Sequence, residues 1–70
     1  MEIKRENIIG AIKDVRNSGL VNMFDLNGVV LIMRSLGNRH EALYLLSAKD
    51  SYVNFILSGK ESHFPEVVSI

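Results

Sequence analysis

The sequence predicts an all-α domain, a small bundle of three to four helices with an extended C-terminal tail, with residues 1–70 forming one unit. Three observations predict it. Apolar residues recur at helical spacing between Ile3 and Asn17, an aspartate cap at Asp25 opens a segment closed by Gly37, and Asn38 opens a further stretch that ends at Gly59.

In the first segment Ile8, Ile9, Ile12 and Val15 fall at i, i+1, i+4 and i+7, with Ala11 beside them. That is one face of a helix over Ile3 to Asn17. Lys4, Arg5, Glu6, Lys13, Asp14 and Arg16 occupy the other face. Ser18-Gly19 stops it, glycine being suited to the left-handed position after a helix. Gly10 costs about 1 kcal/mol against alanine in a helix interior, so it reads as a point of close backbone approach.

Asp25 is a preferred N-cap, because its carboxylate accepts from the free amides of the first turn. Phe24 then falls at N′ and Val29 at N4, the two positions of a hydrophobic staple. The run Val29-Val30-Leu31-Ile32-Met33 is compatible with a buried strand on β-branching alone. Cap, staple and length favour helix. Asn38 caps the next segment, with Glu41 three residues on, an asparagine form of the capping box. Ala42, Leu45, Leu46, Tyr52, Val53 and Ile56 then keep helical spacing. They fit one helix from Arg39 to Ser58, or two, since Asp50-Ser51 reads as a fresh N-cap. A break near Lys49 is favoured. The tail, Lys60 to Ile70, contains the only proline, Pro65, and ends Glu66-Val67-Val68-Ser69-Ile70. So apolar a tail is expected to fold back as an extended segment or to add to a partner.

Composition narrows the function classes. A domain of this size buries only about 60% of its unfolded surface, and chains this short often add a disulfide, a metal or a second subunit. There is no cysteine, and two isolated histidines, His40 and His63, do not make a zinc site. Self-association or partner binding therefore gains weight, and a 47% apolar content points the same way. Eight basic and eight acidic residues cancel, giving no bulk pull toward nucleic acid or anionic membrane. The longest apolar run is far short of the about 20 residues that span a bilayer. The N-terminus is charged and lacks a signal-peptide core. A cytoplasmic setting is expected.

Two words in the chain are distinctive. Ala11-Ile12-x-x-Val15-Arg16-x-Ser18-Gly19 leads into Asn22-Met23-Phe24-Asp25, and the helical region closes with Tyr52-Val53-x-Phe55-Ile56-Leu57-x-Gly59. Over Ile8 to Gly59 the chain resembles a family of small bacterial proteins of unknown function from Firmicutes and their phages and prophages. It departs from that pattern between Leu31 and Leu46, which is more apolar. The resemblance implies a protein of the bacterial host cytoplasm and supplies no activity, so no functional residue is carried over. Small phage proteins of this kind often bind a host protein, an argument from association.

Catalysis is not expected. Acid–base sites need titratable groups brought together. The acids Glu2, Glu6, Asp14, Asp25, Glu41, Asp50, Glu61 and Glu66 are spread almost evenly, and Asp25 and Asp50 read as caps. His40 beside Glu41 reads as an exposed helix start, and His63 as a solvated tail residue. No cofactor or metal is expected. Nucleic-acid binding is the runner-up. A helix, the Gly37-Asn38 turn and a helix beginning Arg39-His40 form a helix-turn-helix-like unit. The rest of that helix, Ala42 to Leu46, leaves few polar side chains to read bases.

The favoured reading is a non-enzymatic, self-associating interaction protein, a dimer or higher, that binds a bacterial host protein such as a defence or toxin component. It rests on an apolar surplus. Leu31 falls on the narrow polar side of its helix with Asn27, Arg34 and Ser35. Tyr44, Tyr52 and Phe55 add more aromatic surface than one small core is expected to take. The expected partner-binding residues are Leu31, Arg34, Tyr44, Tyr52 and Phe55, and the expected structural positions are Phe24, Asp25, Gly37 and Asn38.

Overall fold

The computed structural model describes residues 1–69. Strand β1 (Glu2–Lys4) runs into helix α1 (Arg5–Ser18), followed by α2 (Leu26–Ser35), α3 (Arg39–Ser47) and α4 (Lys49–Ser58). A 3-10 turn (Glu61–His63) leads to strand β2 (Val67–Ser69), which lies antiparallel to β1 with Ile3 opposite Val68. The mostly helical bundle thus matches the sequence-based expectation, with a two-stranded sheet added to it. Ile70, the end of the expected tail, lies outside the described residues.

The first helix begins two residues later than its periodicity predicts, because Ile3 and Lys4 belong to β1. Ile3 precedes Ile8 by five residues, which at 100° per residue puts it well off the α1 apolar face. As a strand residue between exposed Glu2 and Lys4 it buries fully, at 1% exposure. Strand pairing depends on a tail more than sixty residues away, and no local pattern reveals it. α1 supplies the floor of the core, with Ile8, Ile9, Ala11, Ile12 and Val15 all buried. Val29, Val30 and Met33 of α2, Ala42 and Leu45 of α3, Tyr52 of α4 and Phe64 of the tail complete it.

The helix ends follow from named residues. Asp25 caps α2, its Oδ1 accepting from the Gly28 amide at 3.2 Å. Gly37 stops α2 at φ 94°, with its amide on the Arg34 carbonyl and the Asn38 amide on the Met33 carbonyl. Those two bonds are a Schellman closure, which glycine permits because a Cβ is disfavoured in that conformation. α3 and α4 are separate helices meeting at Ala48, so the break falls where it was expected.

Four local expectations are corrected. Phe24 does not staple α2; it stays 67% exposed while Val29 is buried. Asn38 caps no amide with its side chain, and its Nδ2 lies instead 3.5 Å from Asp14 Oδ2 on α1. The first turn of α3 is closed by the backbone, Ala42 donating to the Asn38 carbonyl. Asp50 lies within the first turn of α4, whose cap position is Ala48. Gly10 marks no close approach, since a Cβ there would meet nothing within 4 Å. The tight glycine is Gly28, where a Cβ would lie 2.5 Å from Val21 Cγ2 and 2.8 Å from Asp25 Oδ2.

The tail is fastened at three levels. Phe64 is fully buried and packs against Tyr44 edge to face and against a tilted Phe55 ring, at centroid distances of 6.3 and 5.5 Å. Arg5 holds it from outside, donating from Nε to the Phe64 carbonyl at 2.8 Å and from its amide to the Glu66 carbonyl at 2.9 Å. The β1–β2 pairing follows. Tyr52 makes the equivalent tie on the other side, its hydroxyl donating to the Met23 carbonyl at 2.6 Å. Burial pushes the Tyr52 phenol up from 10.0 to about 12.

Three outcomes are expected in equilibrium unfolding. Phe64→Ala costs about 3–5 kcal/mol, as for large aromatic truncations in cores. Gly10→Ala, into open space within α1, gains up to about 1 kcal/mol. Because the folded-state pKa of Tyr52 exceeds the unfolded one, its contribution is intact below about pH 10 and is lost as pH rises toward about 12. Tyr52→Phe removes that alkaline loss and, with the Met23 carbonyl left unpaired, costs about 1–2 kcal/mol at neutral pH.

Candidate interaction surface

A groove runs between α2 and α3. It has a volume of about 500 Å³ and is lined by Arg34, Arg39, His40, Leu43 and Leu46. The local fold explains its make-up. Arg39, Leu43 and Leu46 fall at i, i+4 and i+7 and share the outer side of α3, while Ala42 and Leu45 fill the core. On α2, Asn27, Leu31, Arg34 and Ser35 are all exposed and share the outer side. Leu31 thus stands one turn before Arg34, 65% exposed. Leu43 is 61% exposed, and Leu36 and Leu46 are also open to solvent. Of these leucines, Leu43 and Leu46 line the groove, while Leu31 lies on α2 and Leu36 in the three-residue link Leu36-Gly37-Asn38.

Arg34 and Arg39 contribute positive charge there. Among the described residues neither guanidinium has a hydrogen-bond or ion-pair partner within the chain. Arg5 differs, being engaged with the tail. The groove lining holds no carboxylate.

For Tyr52 the expected surface position is corrected. Tyr52 is 1% exposed and bonded to Met23, so it belongs to the interior. Tyr44 and Phe55 are half-buried and turn their rings to Phe64. Burial also raises the Tyr44 phenol above its ordinary value. Of the five expected partner-binding residues, Leu31 and Arg34 are exposed, Tyr44 and Phe55 are half-buried against Phe64, and Tyr52 lies inside. Sequence reasoning missed Leu43 and Leu46 as surface residues. Nearly every residue from Ala42 to Leu46 is apolar, so hydrophobicity alone does not distinguish inner from outer; the i, i+4, i+7 relation to Arg39 was the available signal.

The distinctive words also find their places. Asn22 Oδ1 accepts from the Phe24 amide at 2.9 Å and the Asn22 carbonyl accepts from the Asp25 amide at 2.9 Å, forming an Asx-type turn. Met23 lends its carbonyl to Tyr52 and packs against the core, and Asp25 caps α2. The word Asn22–Asp25 therefore meets the word Tyr52–Gly59 through one hydrogen bond. Both serve the fold, and of their large apolar residues Phe24, Val53 and Leu57 are left outward.

Among the described residues no group of three or more His, Asp or Glu side chains could hold a metal ion. No helix is long and apolar enough to cross a membrane. No curated protein and no solved structure matches the chain. A sequence model of a domain of unknown function, DUF5049, matches residues 4–60, which take in all four helices and both distinctive words. The chain is a member of the DUF5049 family.

Proposed function

We propose that this chain is a non-enzymatic interaction protein that works through the α2–α3 face. Carried by a Firmicute genome, phage or prophage, it modulates a bacterial host protein such as a defence or toxin component. One observation carries the reading: Leu43 and Leu46 line a groove between α2 and α3, while Leu31 on α2 and Leu36 in the link between the two helices are exposed as well. Clustered exposed apolar residues of this kind mark contact surfaces, whereas scattered ones are ordinary.

Self-association uses a different surface in this reading. Val53 and Leu57 stand one turn apart on the outer side of α4, and no charged residue occurs from Ser51 to Gly59. Two copies packed there about a twofold axis bring no like charges together. Around the α2–α3 groove the same symmetry sets Arg34 and Arg39 against their own counterparts. A helix-turn-helix reading draws on Arg39 and His40 at the start of α3, both exposed. It is the weaker one, because base reading calls for polar side chains where α3 offers Leu43 and Leu46.

Light scattering on the purified protein is expected to give a mass above the monomer that rises with concentration. Leu57→Glu returns it to monomer with unchanged helicity. Leu43→Glu leaves the assembly intact and removes the host protein recovered by a tagged pull-down. A monomer at high concentration, with the same proteins recovered by wild type and Leu43→Glu, contradicts the proposal.

A further inference from the structure

We infer that the α2–α3 groove receives an acidic amphipathic segment of a partner protein, its apolar side chains on the leucines and its carboxylates on Arg34 and Arg39. This rests on the interaction reading above and names the chemistry of the partner. The chain is neutral overall, with eight residues of each sign, yet the charged groups lining the groove are all basic. The groove is lined by two guanidiniums, one imidazole and two leucines, with no acid among them. Acids gather at the opposite type of site, where Glu6, Glu61 and Glu66 border a shallow depression beside the strands, there mixed with Lys4 and Arg5.

Two features make the groove cations available to a ligand. Among the described residues neither the Arg34 nor the Arg39 guanidinium has a partner within the chain, and both stand at the edge of apolar surface, where a carboxylate is partly shielded from water. Charge-assisted pairing with guanidinium is stronger in such a setting than in open solvent. The leucines decide between the two anionic classes of partner. A phosphate backbone satisfies the arginines but leaves Leu43 and Leu46 against a polar surface, whereas an amphipathic helix satisfies both sets at once. A second copy seated groove to groove meets the same arginines and is repelled.

The test is an NMR titration of the full-length, isotope-labelled chain with three probes. Two are synthetic amphipathic helical peptides with the same leucine stripe, one flanked by glutamate and one by lysine. The third is a random-sequence DNA duplex at low salt. The glutamate-flanked peptide is expected to shift the amides of Arg34, Arg39, Leu43 and Leu46, with the lysine-flanked peptide and the duplex leaving them in place. The doubly substituted Arg34→Glu, Arg39→Glu chain loses roughly tenfold or more in affinity for the glutamate peptide and gains the lysine peptide. Should that variant misfold, a fall in wild-type affinity for the glutamate peptide with added salt gives the same reading.

Equal binding of both peptides overturns the acidic partner while leaving an interaction face. Preferential binding of the duplex overturns the acidic partner and the protein-interaction reading together. No shift with any probe overturns the acidic partner, and the pull-down with Leu43→Glu then decides the broader reading on its own.

Discussion

The burial of Phe64 is the interaction on which the rest of the structure depends. Four short helices of nine to fourteen residues, in a chain with no disulfide, enclose little interior by themselves. Phe64 supplies the missing volume. To reach the core the tail must turn back across the first residues of the chain, and Arg5 fixes it there by a side-chain and a backbone bond. The pairing of β1 with β2 follows from that return. Ile3 and Phe64 then close the same core from the two ends of the chain.

That closure decides the roles of the other aromatics. With Phe64 inside, Tyr44 and Phe55 have a ring to pack against, and Tyr52 fills the space below Met23. Aromatic surface that looked available for a partner is taken up by the fold, wholly for Tyr52 and partly for Tyr44 and Phe55. What remains outside, Phe24 apart, is mainly aliphatic and includes Leu31 on α2, Leu36 in the link, Leu43 and Leu46 on α3, and Val53 and Leu57 on α4. The division has a consequence for the family. The matched residues 4–60 take in the helices and both distinctive words, while Ile3 and Phe64 lie beyond them. The word Asn22–Asp25 and the word Tyr52–Gly59 thus share one structural purpose, joining the loop before α2 to α4.

Much of this was legible in the sequence, where the signal was local. The α1 apolar stripe, the Asp25 cap, the Gly19 and Gly37 stops and the break before Lys49 all depend on residues within a few positions of one another. Three kinds of feature were not legible. The β1–β2 pair and the Arg5–Phe64 tie join residues some sixty positions apart. Cap chemistry at Asn38 was overridden by a tertiary neighbour, Asp14 of α1. The inner and outer sides of α3 were hidden by uniform hydrophobicity, so the groove leucines were not singled out although Arg34 was. Gly10 and Gly28 are a related case, since only the packed structure reveals which glycine has no room for a side chain.

The central claim is that the tail belongs to the cooperative core, so that the aromatics are structural and the outer leucines are left for contact. Native-state hydrogen exchange tests it most directly. The Arg5 amide, bonded to the Glu66 carbonyl, is expected to exchange only through global unfolding, as slowly as the amides in the middle of α1. Exchange of the Arg5 amide at the rate of a fraying terminus, with α1 still protected, would contradict the account.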